Sequence, residues 1–347
     1  MNSATLISAT TAFKTARVIH AAVELGVFEQ LADRGRDAEE LARDLACSVR
    51  GIRRLADALV AIGLLEGTAA RYDLAPVART HLVEKATDSY TALVRWQSVA
   101  YESFGSLAAS VRSGEPLDVD ARFADRPDAR LTWLRALDQH ARAGGHARRL
   151  AEAIRVPARS RLLDIGGGLG TYAIAFCRRH ADLTVTLFDV PATAALATAH
   201  IEASGQGSRT QVVGGDYLED ELPGPADIVL LSNVLHQHDP DTARTLVARA
   251  FDGTAPGGTL VVHGLHLADA RTGPLDGALL SLTLLLHAPN ENHTARAIAA
   301  WMAEAGYVGI EEKSLEARSP GELMVALKPR TSLRRTDEAA RRMAPAD

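Results

Sequence analysis

The chain has 347 residues, of which 47% are hydrophobic and 23% charged. This is the balance of an ordinary globular protein, and the length predicts two domains. The formal net charge of −5 disfavours binding to a phosphate backbone, so we expect no nucleic-acid partner. Only two cysteines, Cys47 and Cys177, are present, and their wide separation excludes a disulfide framework and a cysteine-based metal site.

No segment predicts export or membrane insertion. Residues 1–13 lack the basic region and long apolar stretch that a signal peptide needs. The most apolar later segment, 279–286, is too short to cross a bilayer. We therefore expect a cytoplasmic protein with no membrane partner.

The N-terminal half, from about residue 11 to 150, has apolar residues three and four positions apart, which is the spacing of amphipathic helices. Two helices are predicted at 38–45 and 49–62, and two short strands follow at 63–67 and 72–74. Two helices and a β-hairpin are the outline of a winged helix.

A winged helix has two interpretations. A DNA-binding module would place the arginines of 49–54 in the major groove. A dimerisation module needs only apolar helices that meet a partner surface. The acidic net charge favours dimerisation, and we expect a homodimer.

After Pro157 short β-branched runs alternate with helical stretches. This alternation predicts βαβ units and a mostly parallel, doubly wound sheet, whose ligand lies at the carboxyl ends of the strands. The predicted strands are 161–165, 184–189, 211–214, 227–232, 259–264, 308–315 and 323–327. Residues 331–347 have no strand pattern and are predicted to form a flexible tail.

The most specific motif follows the first of these strands and reads D-I-G-G-G-L-G from Asp164 to Gly170. Thr171 occupies the last position of the dinucleotide fingerprint G-x-G-x-x-G/A, so a dinucleotide fits badly. The form D-x-G-x-G-x-G, in which Gly166 and Gly168 are the first two glycines, suits a ligand with a carboxylate, an ammonium and a sulfonium. Glycines let such a ligand approach the main chain closely, and the following helix offers free N–H groups.

Two further acids follow later strands of the same predicted sheet. Asp189 ends the second strand, where a carboxylate can accept both ribose hydroxyls of a nucleoside. Asp216 and its neighbour Tyr217 follow the third strand, where the carboxylate can meet the adenine amino group. With Asp164, these acids predict a site for a cationic nucleoside.

On these motifs the chain resembles the two-domain S-adenosylmethionine-dependent O-methyltransferases of plant phenolic and bacterial polyketide pathways. The likeness spans about residues 13–327 and includes 110–116, 164–170, 188–191, 215–216 and 233–236. It implies a Rossmann-like seven-stranded α/β sheet behind a mostly helical winged-helix dimerisation domain. It also implies cofactor contacts by Gly166, Asp189, Asp216 and Ser232, although the family often has lysine at the last position.

The resemblance further implies a division of the chain. A dimerisation domain is expected at 1–115, connecting helices that line the pocket at 116–156, and the methyltransferase domain at 157–330. On the predicted helix 131–140, Trp133, Leu137 and His140 match the family's stretch facing the methyl donor. We predict that they line the pocket of a small-molecule substrate.

The reacting groups are expected after the fourth strand. His236 matches the family histidine that removes a phenol proton, and a pKa near neutrality suits that role. Where the family usually has His-Asp-Trp, this chain has His-Gln-His. Its downstream loop, usually rich in Gly and Arg, contains His287 and His293.

These departures raise a metal-assisted alternative. His236, His287 and Asp239 have the donor types of a two-His-one-carboxylate site for a divalent or ferric ion. A related branch of the family methylates the carbon of 2-oxo acids with a bound metal, which stabilises the enolate. The chain is only 5% aromatic, so it has few flat surfaces on which to hold a polycyclic phenol.

We therefore favour metal-assisted C-methylation of a small 2-oxo acid, with His236 and His287 as catalytic residues. The first alternative is O-methylation of a natural-product hydroxyl, with His236 as general base. The third hypothesis is a non-catalytic S-adenosylmethionine-binding regulator that acts through its winged helix.

Overall fold

The computed structural model describes residues 2–117, 129–288, 290–315 and 322–330, and the predicted tail at 331–347 lies outside them. The chain divides into two compact units. Within the described residues, the first unit comprises 2–109 and 129–145, and the second comprises 110–117 and the residues from 146 onward. One boundary between these units lies at 145/146, and the predicted domain limits stay a prediction.

Most of the first unit is helical. Its helices are α1 (Ser3–Thr11), α2 (Phe13–Leu25), α3 (Val27–Gln30), α4 (Ala38–Asp44), α5 (Val49–Ala61), α6 (Pro76–His81), α7 (Thr91–Phe104) and α9 (Ala129–Ala143). Helix α8 (Leu107–Ser113) spans the boundary between the units. Strands β1 (Leu65–Thr68) and β2 (Arg71–Leu74) form an antiparallel hairpin.

The winged-helix pattern of α4, α5 and the hairpin matches the prediction closely, because its start signals are local. Asp37 accepts the backbone N–H of Glu40, and the Glu40 side chain accepts the Asp37 N–H, which is a capping box. Ser48 caps α5 in the same manner through the Gly51 N–H. Tyr72 of β2 is fully buried, and its hydroxyl donates to Asp57 of α5 over 2.6 Å.

The second unit is a seven-stranded sheet flanked by helices. Its strands are β3 (Arg161–Ile165), β4 (Thr184–Asp189), β5 (Thr210–Gly214), β6 (Ala226–Ser232), β7 (Thr254–His263), β8 (Val308–Lys313) and β9 (Leu323–Leu327). Its helices are α10 (His146–Ala153), α11 (Thr171–Arg179), α12 (Pro191–Ala203), α13 (Pro240–Gly253), α14 (Leu275–His287) and α15 (Ala295–Ala305). The strand order is β5-β4-β3-β6-β7-β9-β8.

Strands β5, β4, β3, β6 and β7 are parallel, and β9 is antiparallel to both of its neighbours. The carboxyl ends of the five parallel strands therefore meet at one edge of the sheet. The predicted seven-stranded α/β fold is confirmed. Strand β7 begins at Thr254 rather than at residue 259, with a register shift opposite Ala226 and Ile228.

Both faces of the sheet are covered, because successive residues of a strand point to opposite sides. Leu163 and Ile165 of β3 pack in one core with residues of α13 and α15, whereas Leu162 packs in the other with residues of α10 and α11. Leu150, Ala151 and Ile154 belong to that second core. Their burial against the sheet is the reason why α10 belongs to the second unit.

Of the described helices, none has both the length and the apolar character needed to cross a membrane.

Candidate active site

The glycine-rich turn lies between β3 and α11, at the carboxyl edge of the sheet. Gly166, Gly168 and Gly170 have φ angles of +68°, +58° and +83°, which favour glycine. A Cβ on Gly166 would lie 2.8 Å from Val234 Cγ2, and one on Gly170 would lie 2.8 Å from Ile201 Cδ1. The turn therefore needs glycine both for its backbone angles and for the close approach of neighbouring elements.

Asp164 is the most unusual group at this edge. Its side chain is fully buried, and among the described residues neither carboxylate oxygen has a partner at good hydrogen-bond geometry, although the Ala173 N–H lies near enough to lower its pKa slightly. Burial and the negative charge of Asp189 raise its pKa to about 7. An unpaired buried carboxylate costs free energy unless a cation or donor meets it. The residue therefore fits the ammonium end of the predicted ligand.

Asp189 connects the glycine turn to the next strand. Its Oδ2 accepts the Gly168 N–H over 2.9 Å, and its Oδ1 accepts the Val190 N–H over 2.8 Å. The Gly166 N–H donates to the Phe188 carbonyl over 2.8 Å. These contacts fix the end of β4 against the turn.

Asp216 and Tyr217 lie in the loop after β5. Asp216 is exposed and its Oδ1 accepts the Leu218 N–H over 2.8 Å. The Tyr217 hydroxyl lies 2.9 Å from Nε2 of His238, and burial raises the pKa of Tyr217 to about 12. The Tyr217 ring also lies close to Gly166. The loops after β3, β5 and β6 therefore converge.

Ser232 ends β6, directly opposite His263 at the end of β7. Its hydroxyl lies 2.9 Å from His263 Nδ1, and Asn233 Nδ2 donates to the same oxygen over 3.4 Å. Burial lowers the pKa of His263 to about 3. The imidazole is therefore neutral at physiological pH. Sequence reasoning did not foresee this pairing, because the partners lie on different strands.

His236 lies in a short 3-10 turn, Leu235–Gln237, that follows β6. Its side chain is partly buried, and burial, with smaller contributions from His293 and His238, lowers its pKa to about 4. This pKa is below the near-neutral value expected from the sequence. The imidazole is therefore neutral at physiological pH and has a lone pair for a proton, but it is a weaker base than expected. With His263, His266 and His293 it lines a small cavity next to Val234.

His293 is buried and contacts the same turn. Its Nε2 lies 3.0 Å from the Leu235 carbonyl and 3.1 Å from the His238 carbonyl. Sequence reasoning named this histidine only as part of the unusual loop. No local pattern predicts a contact between residues so far apart along the chain.

The suggested metal ligands do not assemble. Throughout the part of the chain that the structure describes, no three His, Cys, Asp or Glu side chains are grouped so as to hold a metal ion. The exposed Asp239 is instead the N-cap of α13 and accepts the N–H groups of Asp241 and Thr242 and the Thr242 hydroxyl. An Asp followed by Pro at the first helical position is a local cap signal, so this role was readable from sequence. His287, the last residue of α14, is partly buried.

The three predicted substrate residues lie on α9, in the first unit. Trp133 is partly buried, Leu137 is 44% exposed and His140 is exposed. Their contact with substrate stays a prediction.

Comparison with known protein families agrees with the fold. The O-methyltransferase domain family matches residues 121–308, and the O-methyltransferase dimerisation domain family matches residues 7–84. The chain is 33% identical over 320 residues to 3-hydroxy-5-methyl-1-naphthoate 3-O-methyltransferase of Streptomyces sahachiroi, which covers 90% of this chain and 91% of the relative. It is 31% identical over 264 residues to N,N-dimethyltransferase OxyT of Streptomyces rimosus. That match covers 74% of this chain and 76% of the relative.

Among solved structures, human N-acetylserotonin methyltransferase in complex with S-adenosylmethionine has the same fold. The TM-score is 0.81 at 24% identity, with 95% of this chain and 99% of that chain covered. The predictions of an enzyme and of S-adenosylmethionine as its cofactor are confirmed, and the regulator hypothesis loses its support. The matches also favour O-methylation over the C-methylation of a 2-oxo acid that we had preferred. Its sequence and its fold together show that the chain belongs to the S-adenosylmethionine-dependent O-methyltransferases.

Proposed function

We propose that this enzyme methylates a hydroxyl oxygen of an aromatic small molecule and that His236 is the general base. The observation that carries the proposal is the neutral, partly buried imidazole of His236 in the turn after β6, where the loops from β3 and β5 converge. The relative from Streptomyces sahachiroi bears the name of a naphthoate O-methyltransferase. It supports an aromatic hydroxyl as acceptor.

For the cofactor we propose that Gly166 and Gly168 contact S-adenosylmethionine through their backbone and that Asp164 pairs with its ammonium. Asp189 would accept the ribose hydroxyls, and Asp216, Tyr217 and Ser232 would border the adenine. The buried, unpaired Asp164 and the glycine positions that exclude a Cβ support this assignment. The cofactor supplies an electrophilic methyl group on a sulfonium and leaves as a neutral thioether.

The chain's own residues then have defined tasks. His236 accepts the hydroxyl proton as the acceptor oxygen forms its bond to the methyl carbon, and the proton later passes to solvent. A base held in place beside the acceptor raises the rate by general base catalysis, typically by about 10²–10⁴-fold. Trp133, Leu137 and His140 stay our proposed substrate contacts. The domain limits 1–115, 116–156 and 157–330 stay our proposal.

We also propose a homodimer formed through the first unit. Helix α1 has no buried residue, and its Leu6 and Ile7 are 55% and 65% exposed. Apolar side chains in such a position gain free energy when a second chain covers them. The match to a dimerisation domain over residues 7–84 supports a second copy as the partner.

The test is an acceptor panel of hydroxylated naphthoates, simple phenols, amines and 2-oxo acids, assayed with S-adenosylmethionine in the presence and absence of a chelator. We expect chelator-resistant methylation of an aromatic hydroxyl, identified by the mass and position of the product. His236→Ala should lose this turnover while still binding S-adenosylmethionine in a calorimetric titration. Turnover of a 2-oxo acid that stops with chelator would restore the metal-assisted reaction, and turnover only of amines would make the enzyme an N-methyltransferase.

A further inference from the structure

The turn that carries His236 is held by a donor from a distant part of the chain. The Leu235 and His238 carbonyls, on either side of His236, both face Nε2 of His293, at 3.0 and 3.1 Å. A carbonyl oxygen only accepts hydrogen bonds, so Nε2 must carry a proton and donate to both. The geometry therefore fixes the tautomer of His293, with the hydrogen on Nε2.

His293 is itself firmly held. It is 4% exposed, and its ring lies edge-on to Trp301 with a centroid distance of 5.0 Å. Its backbone carbonyl accepts the Leu267 N–H over 2.9 Å. A second contact comes from the same loop, because the Asn290 amide donates to the Gln237 carbonyl. The loop thus hydrogen-bonds three carbonyls of the turn, those of Leu235, Gln237 and His238.

We propose that His293 is a positioning residue for methyl transfer, whose single N–H locks the turn that presents His236 to the acceptor. This inference rests on the proposed role of His236 as the base. Proton transfer requires the imidazole within hydrogen-bond reach of the hydroxyl, so small displacements of the turn are costly. Burial is the largest cause that lowers the pKa of His293.

The experiment compares three variants of the full-length enzyme. His293→Leu removes the donor but keeps an apolar side chain against Trp301, whereas His293→Gln keeps an N–H that can reach a carbonyl. The matched control is His180→Leu, because His180 Nε2 donates to the Ala151 carbonyl over 3.0 Å, between α11 and α10 and away from the turn. Each variant is assayed for kcat, for KM of the acceptor and for S-adenosylmethionine affinity, and its fold is checked by circular dichroism.

We expect His293→Leu to lower kcat by up to about 100-fold, with unchanged affinity for S-adenosylmethionine. His293→Gln should recover most of the rate, and His180→Leu should keep it. As a second measurement, nuclear magnetic resonance titration should show a higher His236 pKa in His293→Leu than in His293→Gln. Both variants remove the charge of His293, which lowers the His236 pKa, but only a released turn also exposes the His236 imidazole to water.

The outcomes separate the two proposals. Full activity of a folded His293→Leu variant with the same His236 titration as His293→Gln would overturn the positioning role, even if His236→Ala is inactive. Equal losses in His293→Gln and His293→Leu would also overturn it, since the N–H would not be the feature that matters. If His236→Ala keeps its activity, the proposed base is wrong regardless of His293.

Discussion

Asp164 lies one residue before the end of β3 and Asp189 ends the neighbouring strand β4, and the charge of Asp189 contributes to raising the pKa of the fully buried Asp164. The registers of β3 and β4 place both acids at the same edge of the sheet. A negative charge beside a fully buried carboxylate destabilises the folded protein when no cofactor is bound. A bound cation relieves that cost, so the same two carboxylates affect both the affinity for the cofactor and the stability of the cofactor-free protein.

Asp164→Asn should therefore weaken cofactor binding while stabilising the ligand-free enzyme at high pH. The folded-state pKa is about 7, against an ordinary value of 3.8. Between these values the folded state holds a proton that the unfolded chain releases, so stability falls as pH rises, and the full cost is present above pH 7. The neutral amide avoids this cost, which is on the order of a few kcal/mol.

Thermal unfolding at pH 4 and pH 8 and calorimetric titration of S-adenosylmethionine check this prediction. We expect a higher Tm for Asp164→Asn at pH 8, little change at pH 4, and binding weaker by about 1–3 kcal/mol. The exposed Asp216 is the control, since Asp216→Asn should leave Tm unchanged. A lower Tm for Asp164→Asn at pH 8 would contradict the argument.

The pH dependence of the reaction should extend to unusually acid conditions. His236 acts as base only when neutral, and its pKa is lowered to about 4 by burial. The rate should therefore stay high down to about pH 5 and fall only as pH approaches the folded-state pKa, rather than near the ordinary value of 6.5. A profile of kcat at saturating S-adenosylmethionine between pH 4 and pH 8 measures this, because the ammonium of the bound cofactor favours ionised Asp164 and so keeps that group from titrating in the same range. Circular dichroism shows whether the fold persists. An acid limb centred at 6.5 in folded enzyme would exclude a buried His236 as the base.

Crowding at the glycine turn predicts that Gly170→Ala lowers the free energy of unfolding much more than Gly205→Ala, although both glycines have a left-handed backbone. Gly170 and Gly205 have φ angles of +83° and +74°, but only a Cβ at Gly170 would clash, at 2.8 Å from Ile201. Gly205→Ala should cost about 1–2 kcal/mol, the penalty of a left-handed backbone. Gly170→Ala should cost about 1–3 kcal/mol more because it overpacks the core. Urea denaturation of both variants measures the difference, and equal losses would mean that Ile201 relaxes freely.

Helix α1 supplies a test of the homodimer. Ile7→Asp places a charge on an exposed apolar position of the first unit, where a partner chain would have to bury it. We expect this variant to shift toward the monomer in light scattering at micromolar concentration. Val308→Asp, at an exposed position of β8 in the second unit, should leave the mass of the assembly unchanged. A dimer of unaltered stability in Ile7→Asp would place the interface elsewhere.

The sequence by itself determined the two-part fold and the cofactor. Short apolar runs between helical stretches specify strands such as 161–165 and 184–189. The capping box at Asp37 and the cap at Ser48 specify helix starts. Both kinds of signal depend only on neighbours within a few residues. The glycines of 164–170 encode the turn in the same local manner. The exposed Asp239 also had its local signal, a helix cap, which we had interpreted as a metal ligand.

Only the tertiary structure decided which distant groups meet. It joined α10 to the sheet because the side chains of Leu150 and Ile154 complete a core on one face. It set Ser232 opposite His263 through the register of β6 and β7, and it brought the N–H of His293 to the turn beside His236. Such contacts link residues that are far apart along the chain, and they produce no periodic pattern in the sequence. They form because strand register and helix packing place them together, so sequence patterns alone do not reveal them.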